Sequence, residues 1–339
     1  MKPLVSVLIP AFNAQKWIAD TLRSAIGQTW ESTEIIVVDD GSTDQTLAIA
    51  RRYESDQIRV VTQTNQGAAA ARNNAFSLSR GDYIQWLDAD DLLARDKIAK
   101  QVEALRRCRT VRTLLSSEWG QFMCRYDRTK FVPTALWCDL SPTEWLLQKM
   151  GRNLHMQTAT WLVSRELTEA AGPWDTRLLG DDDGEYFCRV LLKSDGIRFV
   201  PGAKVYYRAT PNSLSYIGRS ARKVEAQWCS MRLHIEYLRS LEESSRVRAA
   251  SVDYLQNWLF HFYPERLDLV EQMRQLAEEL GGKLETPRLS WKYSWINAIF
   301  GPALAKRARI ILPRLRWSVV RFWDKALLLI QTRGLSLGT

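Results

Sequence analysis

Along the first hundred residues, short apolar runs alternate with stretches whose apolar positions recur at helical spacing. Residues 5–9 are β-branched and aliphatic and are stopped by Pro10, the pattern of a buried strand. Residues 16–28 carry apolar side chains at 17, 18, 22, 25 and 26, which predicts a helix. Residues 34–38 predict a second buried strand that runs into Asp39-Asp40-Gly41-Ser42. Helix is expected at 44–53, strand at 58–61, an alanine-rich helix at 68–78 and a fourth strand at 83–87. That strand leads directly into Asp88-Ala89-Asp90-Asp91, and a further helix is expected over 92–107. Repeated βα units of this length predict an α/β fold, its sheet mixed but mostly parallel with helices on both faces. Ligands of such sheets bind at the carboxyl ends of the strands. The polar clusters fall there: Asn13, then Asp39 with Asp40, then Asp88 with Asp90.

The middle of the chain is less regular. Ser141-Pro142-Thr143-Glu144 reads as a helix start, with Ser as N-cap, Pro at the first helical position and Glu two residues on. Residues 160–163 predict a short strand and residues 199–207 a longer one. Between them, Gly180-Asp181-Asp182-Asp183-Gly184 is an acidic loop entering a helix at 185–193. Residues 220–280 are helical in pattern, with breaks near Ser244 and Pro264, and Gly281-Gly282 marks a linker to a Trp-rich tail.

Charge sharpens that division. The chain of 339 residues carries +9 at pH 7, and residues 284–339 hold ten basic and two acidic side chains, so +8 of it lies there. A basic tail on a nearly neutral body speaks against nucleic acid as the partner of the body. Five cysteines at 108, 124, 138, 188 and 229, without a CxxC pair, fit a reducing compartment. The N-terminus lacks the pattern of a signal peptide, and no run of 18 apolar residues predicts a membrane span. The expectation is a cytoplasmic protein, peripheral on the inner face of the membrane.

The acidic clusters suggest the chemistry. Asp88 and Asp90 at a strand end put two carboxylates on one side of an extended backbone, where they can hold a hard divalent cation and through it phosphate oxygens. The bland alternative is that they cap the helix expected after them. Asp39-Asp40-Gly41-Ser42 likewise reads either as a site or as a turn with a cap.

The order of motifs bears on that choice. Val5 to Asn13, Ile36 to Asp44, Asn65-Gln66-Gly67 with Ala71-Arg72-Asn73, and Gly81 through Asp91 together closely resemble the family 2 glycosyltransferases of GT-A fold. The resemblance covers about residues 3–215. It implies that Pro10, Phe12 and Asn13 line the nucleotide pocket, that Asp40 with Asp39 beside it reads the base, and that Arg72 sits near base or phosphate. It further implies that Asp88 contacts the ribose and that Asp90 binds the Mg²⁺ or Mn²⁺ bridging the diphosphate. Gly172-Pro173-Trp174-Asp175 is similar to the family's Gly-Gly-Phe-Asp turn, and Asp182-Asp183 to its Glu-Asp pair, which makes Asp183 the general base. Asp182 departs from the usual Glu, and three successive aspartates leave that register open by one residue. Tyr207-Arg208 with Ser213 and Ser215 resembles a segment that closes over the diphosphate.

These implications divide the chain into a nucleotide-sugar-binding catalytic domain at 1–219, a helical extension at 220–282 and a basic amphipathic tail at 283–339. The expected partners are a nucleoside-diphosphate sugar, foremost a UDP-sugar, and a glycan or lipid-linked acceptor in cell-surface polysaccharide synthesis. In the tail, Arg314, Arg321 and Lys325 recur on one helical face beside an apolar face of Leu315, Val319, Phe322, Ala326, Leu329 and Ile330. With Trp317 and Trp323, that pattern fits a helix lying in an anionic lipid interface, or one packing on the body of the protein. Two rival functions stand beside the transferase. A sugar-phosphate nucleotidyltransferase would carry a Gly-rich basic loop after the first strand, where this chain has Ala11-Phe12-Asn13-Ala14-Gln15. An inactive sugar-nucleotide-binding scaffold would need no Asp40, Asp90 and Asp183 together.

Overall fold

The computed structural model describes residues 2–108, 110–210, 220–287, 299, 317–318, 320–328 and 330. Its contacts group into two compact units. The first comprises Met1–Gln121, Lys130–Lys149 and Leu154–Glu243; the second comprises Phe122–Thr129, Met150–Asn153 and Ser244–Thr339. The expected division after residue 219 and these units do not coincide, because the first helix of the expected extension groups with the first unit.

In the first unit, strands β1 (Val5–Ala11), β2 (Thr33–Asp39), β3 (Ile58–Thr62) and β4 (Tyr83–Trp86) pair in parallel in the order 3-2-1-4. Helices α1 (Ile18–Ile26), α2 (Thr46–Arg51) and α3 (Ala68–Leu78) connect them. The order reverses at β1, so the crevice expected of such sheets opens where β1, β2 and β4 end. The aliphatic strand residues Val5, Val7, Ile9, Ile35 and Val37 are buried and pack with Ile18 and Leu22 of α1. Near the start of β4 the chain comes so close that a Cβ on Gly81 would collide with the Ser6 side chain and backbone. Only glycine fits there. Its N–H donates to Ser6 Oγ at 2.8 Å and to Glu34 Oε1 at 3.0 Å.

After β4 the chain departs from the helix expected at 92–107. Leu92–Leu93 form a short strand, β5, paired antiparallel with β9 (Gly196–Arg208), and α4 runs only over Lys97–Leu105. Asp88 to Asp91 therefore do not cap that helix, whose N-cap is Asp96. The partner of Leu92–Leu93 lies more than a hundred residues away, at Val205 and Tyr206, which no local pattern could reveal. A second sheet has the order β5-β9-β6-β7, with β6 at Thr113–Phe122 and β7 at Lys130–Phe131. Helix α5 (Pro142–Gly151) starts as expected, with Glu144 N–H donating to Ser141 Oγ at 3.2 Å.

The strand expected at 160–163 is instead a 3-10 turn at Thr158–Thr160 followed by β8 (Val163–Ser164), antiparallel to β4. Gln157 caps the turn through its side chain, and Ser164 caps α6 (Arg165–Ala171). Helix α7 (Asp182–Lys193) begins three residues earlier than expected, so Asp182 and Asp183 lie in its first turn, where the helix dipole favours negative charge. The last helix of the unit is α8 (Ala221–Leu241).

In the second unit, α9 (Ser245–Phe262) and α10 (Leu267–Glu279) pack on one another, and Val247, Leu255, Leu259 and Phe262 of the first and Leu269, Val270 and Met273 of the second are buried. The breaks expected near Ser244 and Pro264 separate α8, α9 and α10. Residues 317–318 and 320–328 are helical, and Asp324 there pairs with Arg125 at 2.7 Å and accepts from the Cys124 N–H at 2.9 Å. Arg314, Leu315, Val319 and Leu329 of the expected amphipathic face lie outside the described residues. Among those described, no helix is long and apolar enough to cross a membrane.

Candidate active site

Every side chain expected to take part, Ser213 and Ser215 excepted, lies among the described residues of the first unit. At the end of β1, Asn13 adopts a positive φ of 49°, which asparagine tolerates better than most residues. Its N–H donates to Ser42 Oγ at 2.9 Å and its side-chain oxygen accepts from Thr43 N–H at 2.9 Å, fastening the two loops together. Pro10 is half-buried beside them and Phe12 is 51% exposed, an apolar ring at the rim.

The neighbouring aspartates differ. Both Asp40 oxygens are occupied by the chain itself: Oδ1 accepts from Gln63 Nε2 at 2.8 Å and Gln66 N–H at 2.9 Å, and Oδ2 from Gly67 N–H at 2.8 Å. Asp39 Oδ2 accepts from Thr62 Oγ1 at 3.1 Å and Ser42 N–H at 3.2 Å, but its buried Oδ1 has no donor among the described residues. An unpaired buried acceptor costs stability unless a ligand donates to it. Gly41, at φ 70°, makes this turn possible.

At the end of β4, Arg72 from α3 bridges two carboxylates, with Nη2 2.8 Å from Asp88 and Nη1 2.7 Å from Asp182. Its guanidinium lies 4.3 Å from the Trp174 ring centroid, and Trp174 stacks on Tyr186 at 4.0 Å. Asn73 fixes the Trp174 backbone with a pair of hydrogen bonds at 2.8 and 2.9 Å, so the turn at 172–175 docks on α3. Burial lowers the pKa of the Arg72 guanidinium, but the charges of Asp88 and Asp182 outweigh it and raise the pKa, keeping it ionised.

Asp90 forms no ion pair among the described residues, although the Thr210 side chain hydrogen-bonds to it. Burial and the Asp88 charge push its carboxyl up to about 6, although the Arg208 charge opposes them. Asp91 is fully buried, accepts from the Gln157 amide and from the Arg208 N–H at 2.8 Å, and titrates well above the usual range for the same reasons. Arg208 Nε also donates to the Asp90 carbonyl at 2.7 Å. The loop is thus crowded with carboxylates whose repulsion a cation would relieve.

Among the described residues, no cluster of three or more His, Cys, Asp or Glu side chains forms a metal cage. What the chain offers is one or two carboxylates, the donor set with which Mg²⁺ or Mn²⁺ is usually held when substrate phosphates and water complete the shell.

The three successive aspartates have separate tasks. Asp181, the N-cap of α7, takes a left-handed conformation at φ 56°. Its Oδ2 accepts from Ser230 Oγ at 2.6 Å and Gln227 Nε2 at 3.2 Å, and a Cβ on Gly184 would collide with its carboxylate. Asp182 is held by Arg72, and burial raises its carboxyl to about 6 against that charge. Asp183 Oδ2 accepts from Thr158 Oγ1 at 3.1 Å and Oδ1 from Gly184 N–H at 2.9 Å; no ion pair of Asp183 is present among the described residues.

Sequence reasoning missed the residues that secure this loop. Gln227, Ser230, His234 and Tyr237 recur at intervals of three, four and three along α8, one face of a helix. Tyr237 Oη donates to Glu185 Oε1 at 2.8 Å, and Glu185 pairs with Arg189 at 2.6 Å. A polar stripe on an otherwise ordinary helix was the available signal. His155 is exposed, with its ring on Trp119.

A parallel sheet ordered 3-2-1-4 with carboxylates at its carboxyl edge and a second acidic loop facing them defines a GT-A type of fold. Residues 6–130 match the model of the glycosyl transferase family 2. TuaG of Bacillus subtilis, provisionally named a teichuronic acid biosynthesis glycosyltransferase, is 46% identical over 105 residues, which span 30% of this chain and 42% of TuaG. Three curated relatives are matched over 46%, 42% and 64% of their lengths, less than two thirds in each case. TarS 1–349 of S. aureus, crystallised with UDP, has a TM-score of 0.60 at 20% identity and covers 95% of this chain and 88% of that one. The mannosyltransferase PcManGT of Pyrobaculum calidifontis, in complex with GDP-Man and Mn²⁺, has a TM-score of 0.53 at 17% identity, covering 96% and 88%. Likeness at these identities establishes the fold.

Proposed function

We propose that this protein is a glycosyltransferase that moves a sugar from a nucleoside diphosphate, foremost UDP, to an acceptor hydroxyl with inversion, in the synthesis of a cell-surface polysaccharide. The observation that carries this reading is the division of labour among the carboxylates. Asp39 keeps a buried acceptor for a base N–H, Asp90 is raised by burial and by Asp88 more than Arg208 lowers it, and Asp183 has no ion pair among the described residues, whereas Asp182 is paired with Arg72 and Asp181 is tied to Ser230 and Gln227. Asp88 and Asp90 would hold a Mg²⁺ or Mn²⁺ ion. Bound there, the ion would supply positive charge to the diphosphate as it leaves. Asp183 orients the acceptor hydroxyl and takes its proton as the new bond forms, with Thr158 fixing the carboxylate. Arg72 ties Asp88 to Asp182, so the two halves of the site share one guanidinium. TarS bound UDP and PcManGT bound GDP-Man with Mn²⁺, which supports this class of donor.

Calorimetry of UDP and GDP with and without Mn²⁺, followed by hydrolysis of a donor panel, tests the reading. Metal-dependent UDP binding that Asp90→Ala abolishes, together with donor turnover, is the expected result. Binding without turnover of any donor would favour the inactive scaffold, and binding that ignores metal would remove Asp90 from its role.

The tail supports a second element of the proposal, contact with an anionic membrane on the cytoplasmic side. Val320, Trp323, Leu327 and Ile330 recur at helical spacing and are all exposed, as are Trp317 and Phe322. They stand in a segment carrying +8 of the chain's charge, each basic residue contributing up to about 1 kcal/mol near anionic lipid. Replacing Val320, Trp323 and Leu327 by serine should release the protein from phosphatidylglycerol vesicles while leaving Asp324 in place. Unchanged co-sedimentation would discard the membrane role.

A further inference from the structure

Three aromatic rings gather beside the acidic loop; Trp119 and His155 take no part in the machinery described above, and Tyr207 belongs to the segment that resembles one closing over the diphosphate. Trp119 on β6 lies with its ring centroid 4.9 Å from the His155 ring and 6.0 Å from that of Tyr207 on β9. β6 and β9 are neighbours in one sheet, and the adjacent Tyr206 packs on Phe131 at 5.6 Å, as alternation along a strand requires. His155 is exposed, whereas Trp119 and Tyr207 are half-buried, Trp119 packing partly against the core, so each of the three leaves some aromatic surface to solvent.

This ledge is joined to Asp183 through the chain. Thr158, three residues after His155, donates to the Asp183 carboxylate at 3.1 Å. The Asp183 charge also reaches the His155 imidazole, where it opposes the desolvation that lowers the ring's pKa below its usual value. The ring is therefore uncharged at neutral pH. Of the charges that reach the ring, Asp183 and Asp181 are acidic and Lys149 is basic, so the two carboxylates outnumber the one ammonium and disfavour an anionic ligand.

We propose that Trp119, His155 and Tyr207 form the acceptor subsite, and that it binds a neutral pyranose ring of a glycan and directs one hydroxyl at Asp183. The C–H face of a pyranose is flat and apolar and packs on aromatic faces, while the hydroxyls around its edge stay available for hydrogen bonds. A phosphate- or carboxylate-bearing sugar matches the rings but not the acidic loop. The proposal deepens the glycosyltransferase reading and rests on it.

Saturation-transfer NMR on the full chain with UDP and Mn²⁺ tests it, with cellobiose, lactose and N,N′-diacetylchitobiose as neutral probes and glucuronic acid and glucose 6-phosphate as anionic ones. At least one neutral probe should bind through the C–H protons of one ring face, and no anionic probe should bind more tightly. Trp119→Ala and His155→Ala should each weaken that probe at least tenfold, and Trp119→Phe should restore part of the loss. UDP affinity, measured on the same samples, reports whether each variant is folded. Absence of UDP binding by the wild type would sink the donor reading itself. UDP binding with no contact to any neutral saccharide, with an anionic probe preferred, or with saccharide affinity indifferent to Trp119 and His155, would overturn the subsite and leave the donor reading intact.

Discussion

The two acidic regions of the site are built in opposite ways. At the sheet edge, Asp39, Asp88 and Asp90 stand at or just beyond the carboxyl ends of parallel strands, so backbone topology brings them together before any side-chain contact such as Arg72–Asp88 is made. In the loop at 181–183, position is set by side chains distant in sequence: Arg72 for Asp182, Ser230 for Asp181 and Thr158 for Asp183. The first region stays in place as long as the sheet is intact. The second depends on a few hydrogen bonds, each of which contributes about 1 kcal/mol. Single substitutions should therefore affect the two regions differently.

The largest effect is expected in the loop. Asp183→Asn should lower kcat by about 10²–10⁴ while UDP affinity holds, since the donor complex contains no proton to take. If Asp182→Asn, measured alongside, matches that loss while Asp183→Asn is mild, the register shifts by one residue. At the sheet edge, Asp39→Asn should weaken UDP by roughly 1–3 kcal/mol, read by calorimetry. Ser42 N–H and Thr62 Oγ1 would hold the amide oxygen, turning the NH₂ toward the position that now offers an acceptor. Unaltered affinity would show that the free Asp39 oxygen serves no ligand.

A smaller effect concerns pH. The Asp90 carboxyl is raised to about 6, so it is charged above that pH and protonated below it. Mn²⁺-dependent UDP affinity should be flat above about pH 7 and fall about tenfold per unit below 6, and Asp90→Asn should abolish the slope. Smallest of all, Ser230→Ala should reduce kcat about fivefold with UDP affinity unchanged, and Ser230→Thr should recover most of it, because only the Asp181 anchor is loosened. Equal losses in kcat and UDP affinity would mean that α8 supports the whole fold and not the loop.

The same contrast explains what the sequence made legible. The strands β1 to β4 and helix α3 follow from periodicity and turn chemistry, and the aspartates at the sheet edge come with them. Leu92–Leu93 were hidden because they look helical locally and become a strand only through Val205 and Tyr206. The distinction between Asp39 and Asp40 was equally hidden, since it lies in which oxygen the loop at 63–67 occupies. The three aspartates at 181–183 are one string in the sequence and three environments in the fold, separated by residues 72, 158 and 230.

The Arg125–Asp324 pair bears on how such chains could diversify. The second unit is assembled from the tail, α9, α10 and two short pieces of chain, Phe122–Thr129 between β6 and β7 and Met150–Asn153 at the end of α5. A genetic crossover at residue 243 would carry Asp324 away and leave Arg125 behind, with the Cys124 N–H stripped of its acceptor. Grafting the tail onto a different transferase would fail for the same reason unless the β6–β7 loop travelled with it. Heritable exchange of this tail thus requires two coordinated events in one gene, and chimeras made to transplant it should be cut at three places.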